Sequence, residues 1–346
     1  MGKTRKLKVL VLIHEGLEPP ESLDSFSDDE LGKALWGAEF DVINTLREMG
    51  HIVEVQSVSD ELKVIRQAIE KFKPNLAFNL LEDFAGVSIF DQHVVAYLEL
   101  MGMKYTGCNP RGLMLARDKA LAKVILSYHR ISTPQFEVFK RGKPLKISAK
   151  TEYPIFVKSL TEEASTGIAQ SSVVYSEAEL RERVSFIHES IQTDALAETY
   201  IDGRELYVGM LGNRALTVLP VWELKFLKAP EGMAKIATPK VKFDPRYRRK
   251  YGITTGAAYG LSDETREQID KICRRVYRRL RLTGYARMDL RVNSEGKVFL
   301  LEANPNPHIG IDEDLAQSAI KSGMSYEALL QKILNLGLRW DPSEFA

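Results

Sequence analysis

The stretch that most constrains this chain is Gly284 to Pro307, GYARMDLRVNSEGKVFLLEANPNP. It reads as two strands joined by a polar turn, Asn293-Ser294-Glu295-Gly296. Alternation puts Arg287, Asp289 and Arg291 on one face of the first strand, and Glu302 and Asn304 on one face of the second. With a connecting loop of Ser294 to Lys297, Asp289 falls directly opposite Glu302. Two carboxylates and an amide at that separation call for a hard cation between them, and Mg²⁺ held by carboxylates plus substrate phosphates fits. The competing reading is a solvent-facing hairpin with ordinary surface charges. Against it, the FLLEAN segment flanks its polar residues with apolar ones and keeps the polar residues on one face.

With 346 residues the chain has room for two or three domains. Lys+Arg 48 against Asp+Glu 47 leaves a net charge of +1, so no global field draws nucleic acid or an anionic membrane. A polyanion must be gripped locally. Cys108 and Cys273 form no metal-ligand or redox spacing, and a reduced, cytoplasmic setting is expected. The apolar run Val9–Ile13 after a basic start is too short for an export signal and reads as a buried first strand. No stretch approaches the length of a membrane span, and Met1-Gly2 lacks the Ser or Thr of a myristoylation site.

From Leu7 to about Gly107 strand and helix signals alternate. Strands are expected at Val9–Ile13, His51–Val58, Leu76–Leu80 and from Lys104. Helices are expected at Glu39–Met49, Glu61–Phe72 and Gln92–Met101. That order implies a parallel sheet with ligand loops beyond its carboxyl ends. These loops are His14-Glu15-Gly16, Glu82 to Gly86, and Thr106 to Pro110. Leu17 to Glu30 is an acidic loop, either a lid or a plain insertion. After a helix to about His129, strands follow at Gln135–Phe139 and at Tyr153–Lys158. Ser159 to Gly167, SLTEEASTG, forms a tip able to offer backbone N–H groups to phosphate, and Ile168–Tyr175 returns. Ser176 and Glu179 make a capping box opening a helix to about Ser190. Strands are expected at Ala195–Ile201, Arg204–Leu211 and Leu216–Val221. Ala229 to Gly260 is irregular and basic, either a solvated loop or a flap over phosphates. Asp263–Arg281 is a helix.

The ordered set Asp118-Lys119, PIFVKS, EEASTG, AETYIDGREL, GYARMDLR and LLEANPNP resembles the ATP-grasp superfamily, most closely its D-alanine–D-alanine ligase branch. FNLLEDFAG and SGMSYEALLQKIL extend the likeness over nearly the whole chain. The resemblance implies an α/β chain, α+β in the ATP-binding part. It would comprise an N-terminal parallel-sheet domain (1–115), a central ATP-grasp subdomain (116–195) and a C-terminal one carrying the metal site (196–346). It implies ATP and Mg²⁺, with Mn²⁺ as an alternative ion. Lys119 and Lys158 would bind phosphates, and Ser165, Thr166 and Gly167 would cover them. Glu198, Tyr200 and Ile201 would form the adenine hinge. Glu205 would hold the ribose, and Lys235 would lie near the flap lysine of the family. Asp289, Glu302 and Asn304 would be the metal ligands, and Arg287, with Lys158, would stabilise an acyl phosphate.

Two departures bear on substrate. The first loop of the family reads Gly-Gly-x-Ser-x-Glu; here it is His14-Glu15-Gly16, in which Glu15 can still meet an amino group. After the metal asparagine the family continues Pro-Gly-Met-Thr-x-x-Ser, whereas this chain has His308-Ile309-Gly310-Ile311-Asp312-Glu313-Asp314. Acidic side chains there would repel a carboxylate, or else Asp312 caps a helix. The expected activity is an ATP-dependent carboxylate–amine ligase acting through an acyl phosphate, with an acceptor other than D-alanine, a positively charged one being among the options. The alternatives are an ATP-grasp enzyme for a non-amino-acid substrate, or a non-catalytic nucleotide-binding module. Small-molecule partners and a homodimer are expected, with neither nucleic acid nor membrane.

Overall fold

The computed structural model describes residues 6–22, 35–162 and 165–345. Residues 23–30 of the expected acidic loop, and Glu163 and Ala164 of the hydroxyl-rich tip, lie outside the described residues. The chain opens with β1 (Lys8–His14), followed by β2 (Ile52–Val58) and β3 (Leu76–Asn79), all parallel in the order β2-β1-β3. The central strand β1 is a continuous apolar run because both its faces are covered, and Val9 to Ile13 are fully buried. Crossover helices Gly37–Glu48 and Leu62–Phe72 match the expected segments. The strand expected from Lys104 is reduced to one bridge, Ala77 to Tyr105. The loop after it turns away at Gly107 to join the hairpin described below.

Helices Pro110–Arg117 and Lys119–Tyr128 follow, the second capped by Asp118, whose carboxylate accepts from Leu121 N–H at 2.9 Å. That cap starts the helix at Lys119 and places Lys123 one turn on, on the same face. An antiparallel sheet comes next, of β4 (Phe136–Phe139), β5 (Ile155–Ser159), β6 (Val173–Val174) and β7 (Ala195–Thr199), in the order β4-β7-β5-β6. It has its own core, including Val157, Leu180, Val184 and Ala197. Of the expected Ile168–Tyr175 strand only β6 forms, because a short 3₁₀ turn at Gln170–Ser172 takes up its first half. Ser176 caps helix Glu177–Phe186, but Glu179 reaches back to Tyr175 N–H.

The third sheet holds β8 (Arg204–Leu211), β9 (Thr217–Val218), β10 (Trp222–Phe226), β11 (Ile253–Ala257), β12 (Tyr285–Val292) and β13 (Val298–Pro305). Its path is β11-β10-β8-β12-β13, with β9 beside β8. The segment expected to be irregular, Ala229 to Gly260, contains helices Pro239–Phe243 and Pro245–Tyr251 as well as β11. Each helix starts on a Pro and is capped, by Thr238 and Asp244, a start signal present in the sequence. One face of β12, with Ala286, Met288 and Leu290, packs with Ile269, Cys273 and Val276 of helix Asp263–Arg279. The other face is left to Arg287, Asp289 and Arg291.

The hairpin register holds by a different route from the expected one. The last cross-strand pair before the turn is Val292 with Val298, so the connection is Asn293 to Lys297, one residue longer than expected. A bulge at Leu301 then restores the pairing, Leu290 with Leu300 but Asp289 with Glu302. The joint to the first sheet is equally tight. Gly284 has φ +69°, and a Cβ on it would lie 2.3 Å from the carbonyl oxygen of Gly107. Asn306 Oδ1 accepts from Cys108 N–H at 2.7 Å, and Asn109 N–H donates to Thr283 Oγ1 at 2.9 Å. Thr106 to Asn109 is therefore a buried joint, not an open substrate loop. Gly284→Ala combines left-handed strain with a backbone clash and should cost at least about 2 kcal/mol. Urea unfolding of the variant against the parent measures it.

Candidate active site

The two antiparallel sheets face each other across a web of buried charge. On β5, Lys158 Nζ lies 3.3 Å from Glu302 Oε2 of β13 and 3.7 Å from Glu198 Oε2 of β7. Lys123 Nζ reaches Glu198 Oε1 at 2.9 Å and donates to the carbonyl of Leu301, the bulge residue, at 3.2 Å. Lys119 Nζ donates to the Glu162 carbonyl at 2.8 Å. Asp289 and Glu302 face each other across β12 and β13, with Asn304 opposite Arg287. Burial pushes both carboxylates up. For Asp289 burial, with Glu302 adding to it, outweighs the pull of Arg287 and keeps it above the usual range; Glu302 is driven well below by Lys158, Lys119, Lys242 and Arg287.

Two facing carboxylates, with the Asn304 amide on the same face of β13, offer oxygen ligands of the kind a hard divalent ion takes. Among the described residues no three or more His, Cys, Asp or Glu side chains converge into a metal cage. The set is of the open kind Mg²⁺ shares with phosphate oxygens. Arg287 spans Asp289 with bonds of 2.7 and 2.9 Å and lies over the Tyr207 ring at 4.8 Å.

A family profile described as "D-ala D-ala ligase C-terminus" matches residues 123–335, more than half the chain. The chain belongs to the D-alanine–D-alanine ligase family. It is an ATP-dependent ligase whose family uses ATP and Mg²⁺. The D-alanine–D-alanine ligase of Desulfotalea psychrophila is 29% identical over 277 residues, 79% of this chain and 81% of that protein. The uncharacterised protein y4sG of Sinorhizobium fredii is 29% identical over 306 residues, 86% of each. In fold, the chain is similar to the D-alanine–D-alanine ligase of Bacillus anthracis complexed with ATP. The TM-score is 0.74 at 21% identity, over 96% of this chain and 98% of that one. That likeness gives the ATP-grasp fold.

The structure of this ligase brings Lys119, Lys158, Glu198, Arg287, Asp289, Glu302 and Asn304 into one cluster, in which Lys119, Lys158, Glu198 and Asp289 are buried and the others half-buried. Beside it, Glu205 and Ile201 of the expected hinge meet through Arg291, whose guanidinium bonds to Glu205 Oε2 (2.7 Å), the Ile201 carbonyl (2.8 Å) and the Lys235 carbonyl. Arg291 also lies over the Tyr200 ring at 5.1 Å. Lys235 thus contributes backbone while its side chain is exposed. The lysine of that segment whose charge acts on Asp289 and Glu302 is Lys242. Ser165 and Gly167 sit in a left-handed turn with Thr166 exposed between them, and the Gly167 carbonyl accepts from Arg183. Glu15 is exposed at the end of β1, apart from the cluster. The expected N-cap Asp312 gives way to Glu313, which starts helix Asp314–Lys321 and pairs with His308 Nδ1 at 3.4 Å.

The residues that the sequence reading left without a role are Lys123, Arg291 and Lys242. Lys123 was signalled by its i+4 spacing from Lys119, and Arg291 by sharing a strand face with Asp289. Lys123→Met leaves Glu198 buried with only Lys158, 3.7 Å away, to balance it. The loss should be about 3 kcal/mol, the low end for a broken buried pair, and Lys123→Met/Glu198→Gln should recover most of it. A double-mutant cycle by chemical denaturation gives both numbers.

Proposed function

We propose that this protein joins a carboxylic acid to an amine, forming an amide through an acyl phosphate, with an acceptor other than D-alanine. The observation that supports the reading is the facing Asp289–Glu302 pair with Lys158 Nζ 3.3 Å from Glu302. A carboxylate is a poor electrophile. Transfer of the γ-phosphoryl group to it releases ADP, and attack by the amine then releases phosphate. Negative charge builds on phosphoryl oxygens in both steps, and fixed cations there lower the barrier. Lys119 and Lys158 would hold phosphate oxygens, and Asp289, Glu302 and Asn304 would hold Mg²⁺, which supplies Lewis-acid charge to the same oxygens. Arg287 is placed to trade part of its Asp289 contact for the acyl phosphate. Glu198, Tyr200, Ile201 and Glu205 would receive adenosine, with Ser165 to Gly167 over the phosphates.

The departure from a D-alanine acceptor rests on the segment after Asn304. Glu313 stands beside His308, and the half-buried Asp314 feels the Arg287 charge, so that this segment is rich in carboxylates. A second carboxylate would be repelled there. Phosphate release from ATP and Mg²⁺ should depend on an acid–amine pair. Asp289→Asn should lower it by about 100-fold or more while thermal unfolding stays cooperative. Mass spectrometry of the products should find an amide other than D-alanyl-D-alanine; that dipeptide as the main product would overturn the acceptor assignment.

A further inference from the structure

Next to the hairpin, where helix Gly37–Glu48, the end of β3 and the Asn306–Ile309 segment converge, lies a cleft open to solvent. The charged groups lining it are Glu39, Glu82 and His308. Its other walls are mostly apolar, among them Leu81, Ile309 and Tyr285. Glu39 is only 6% exposed, and its Oε2 is buried with no hydrogen-bond partner. Burial raises its proton affinity; its own backbone N–H and His308 lower it, and Glu82 raises it further. His308 is already matched by Glu313 at 3.4 Å. Among the described residues, the cleft therefore holds two carboxylates, Glu39 and Glu82, whose nearest cation, His308, is paired with Glu313.

The walls are rigidly placed. Glu82 N–H donates to His14 Nε2 at 2.8 Å, Asn79 N–H to Thr106 Oγ1 at 3.0 Å, and Tyr326 Oη to the Ile309 carbonyl at 3.0 Å. A buried carboxylate oxygen without a donor is costly, and a preformed site for a cation is one arrangement that recovers the cost on binding. Apolar walls leading to a charged floor suit an aliphatic stem with a cationic head.

We infer that this cleft is a substrate subsite for an alkyl-ammonium or alkyl-guanidinium group, held by the Glu39 and Glu82 carboxylates. It rests on the ligase reading, since Tyr285 and Asn306 continue the hairpin that carries Arg287 and Asn304. The ligase joins an acid or amine that carries a basic side chain, and the aliphatic stem runs along Leu81 and Ile309.

Calorimetric titration of the full chain with Mg²⁺ and a non-hydrolysable ATP analogue tests this. The probes are lysine, arginine and agmatine, the amino acids in both configurations, against the neutral norleucine and citrulline. At least one cationic probe should bind about tenfold or more tighter than its neutral counterpart, and Glu39→Gln and Glu82→Gln should each remove that preference. Glu39→Gln should unfold at or above the parent temperature, because no ion pair is lost. Equal binding of neutral probes, no binding by any cationic probe, or a preference that survives Glu39→Gln overturns the subsite. ADP formation with neutral acid–amine pairs alone would overturn it and keep the ligase reading. Cationic binding without ADP formation for any pair would keep the subsite and overturn the ligase reading.

Discussion

The web from Lys123 through Glu198 and Lys158 to Glu302 is the interaction on which the rest of the site depends. It is the electrostatic link between the four-stranded sheet and the six-stranded one, and its members are mostly buried. Charges so placed are stable only in company, because each loses most of its hydration. Lys158 cannot move far without leaving Glu302 and Glu198 under-compensated. Lys158 and Glu302, proposed above to meet phosphate and metal, are thereby held at a fixed spacing, as preorganised catalysis requires.

Lys123 completes the arrangement in a way that is easy to overlook. It takes Glu198 Oε1 and also the carbonyl of Leu301, the residue extruded by the bulge. The bulge brings Glu302 opposite Asp289, and Lys123 satisfies a carbonyl that the bulge frees from the ladder. Register, carboxylate pair and helix cap are consequently one construction. Asp118 starts the helix, the helix aims Lys119 and Lys123, and Lys123 steadies the strand that carries Glu302.

Much of this was legible in the sequence, for reasons that differ by element. Period-two alternation identifies the faces of β12 and β13: β12 lies between β8 and β13 and has no freedom to rotate, and the edge strand β13 takes its face from its register with β12. The parallel first sheet was legible as apolar runs between helical segments. Less legible was the stretch from Ala229 to Gly260, where seven basic residues mask two short helices whose only signals are Thr-Pro and Asp-Pro starts. The loop length of the hairpin was misjudged by one residue, and the pairing came out as expected because the bulge cancelled that error. The connection at Thr106–Asn109 is polar in sequence yet buried, since its N–H groups and side chains are satisfied by Asn306 and Thr283, partners nearly two hundred positions away. Local composition carries no trace of such partners.

The pairing of Arg291 with Glu205 bears on the adenosine end. An ionised carboxylate offers about four acceptor directions. Arg291 takes one on Oε2 and the Tyr207 hydroxyl one on Oε1, at 2.7 and 2.9 Å. Two remain for ribose hydroxyls, so the pairing leaves the proposed role of Glu205 open and fixes the direction in which it points. The same guanidinium holds the Ile201 and Lys235 carbonyls, one on the hinge and one on the segment over it. A single buried arginine thus ties Ile201, Glu205 and the Lys235 segment together, and separating them would leave a buried charge without its partner.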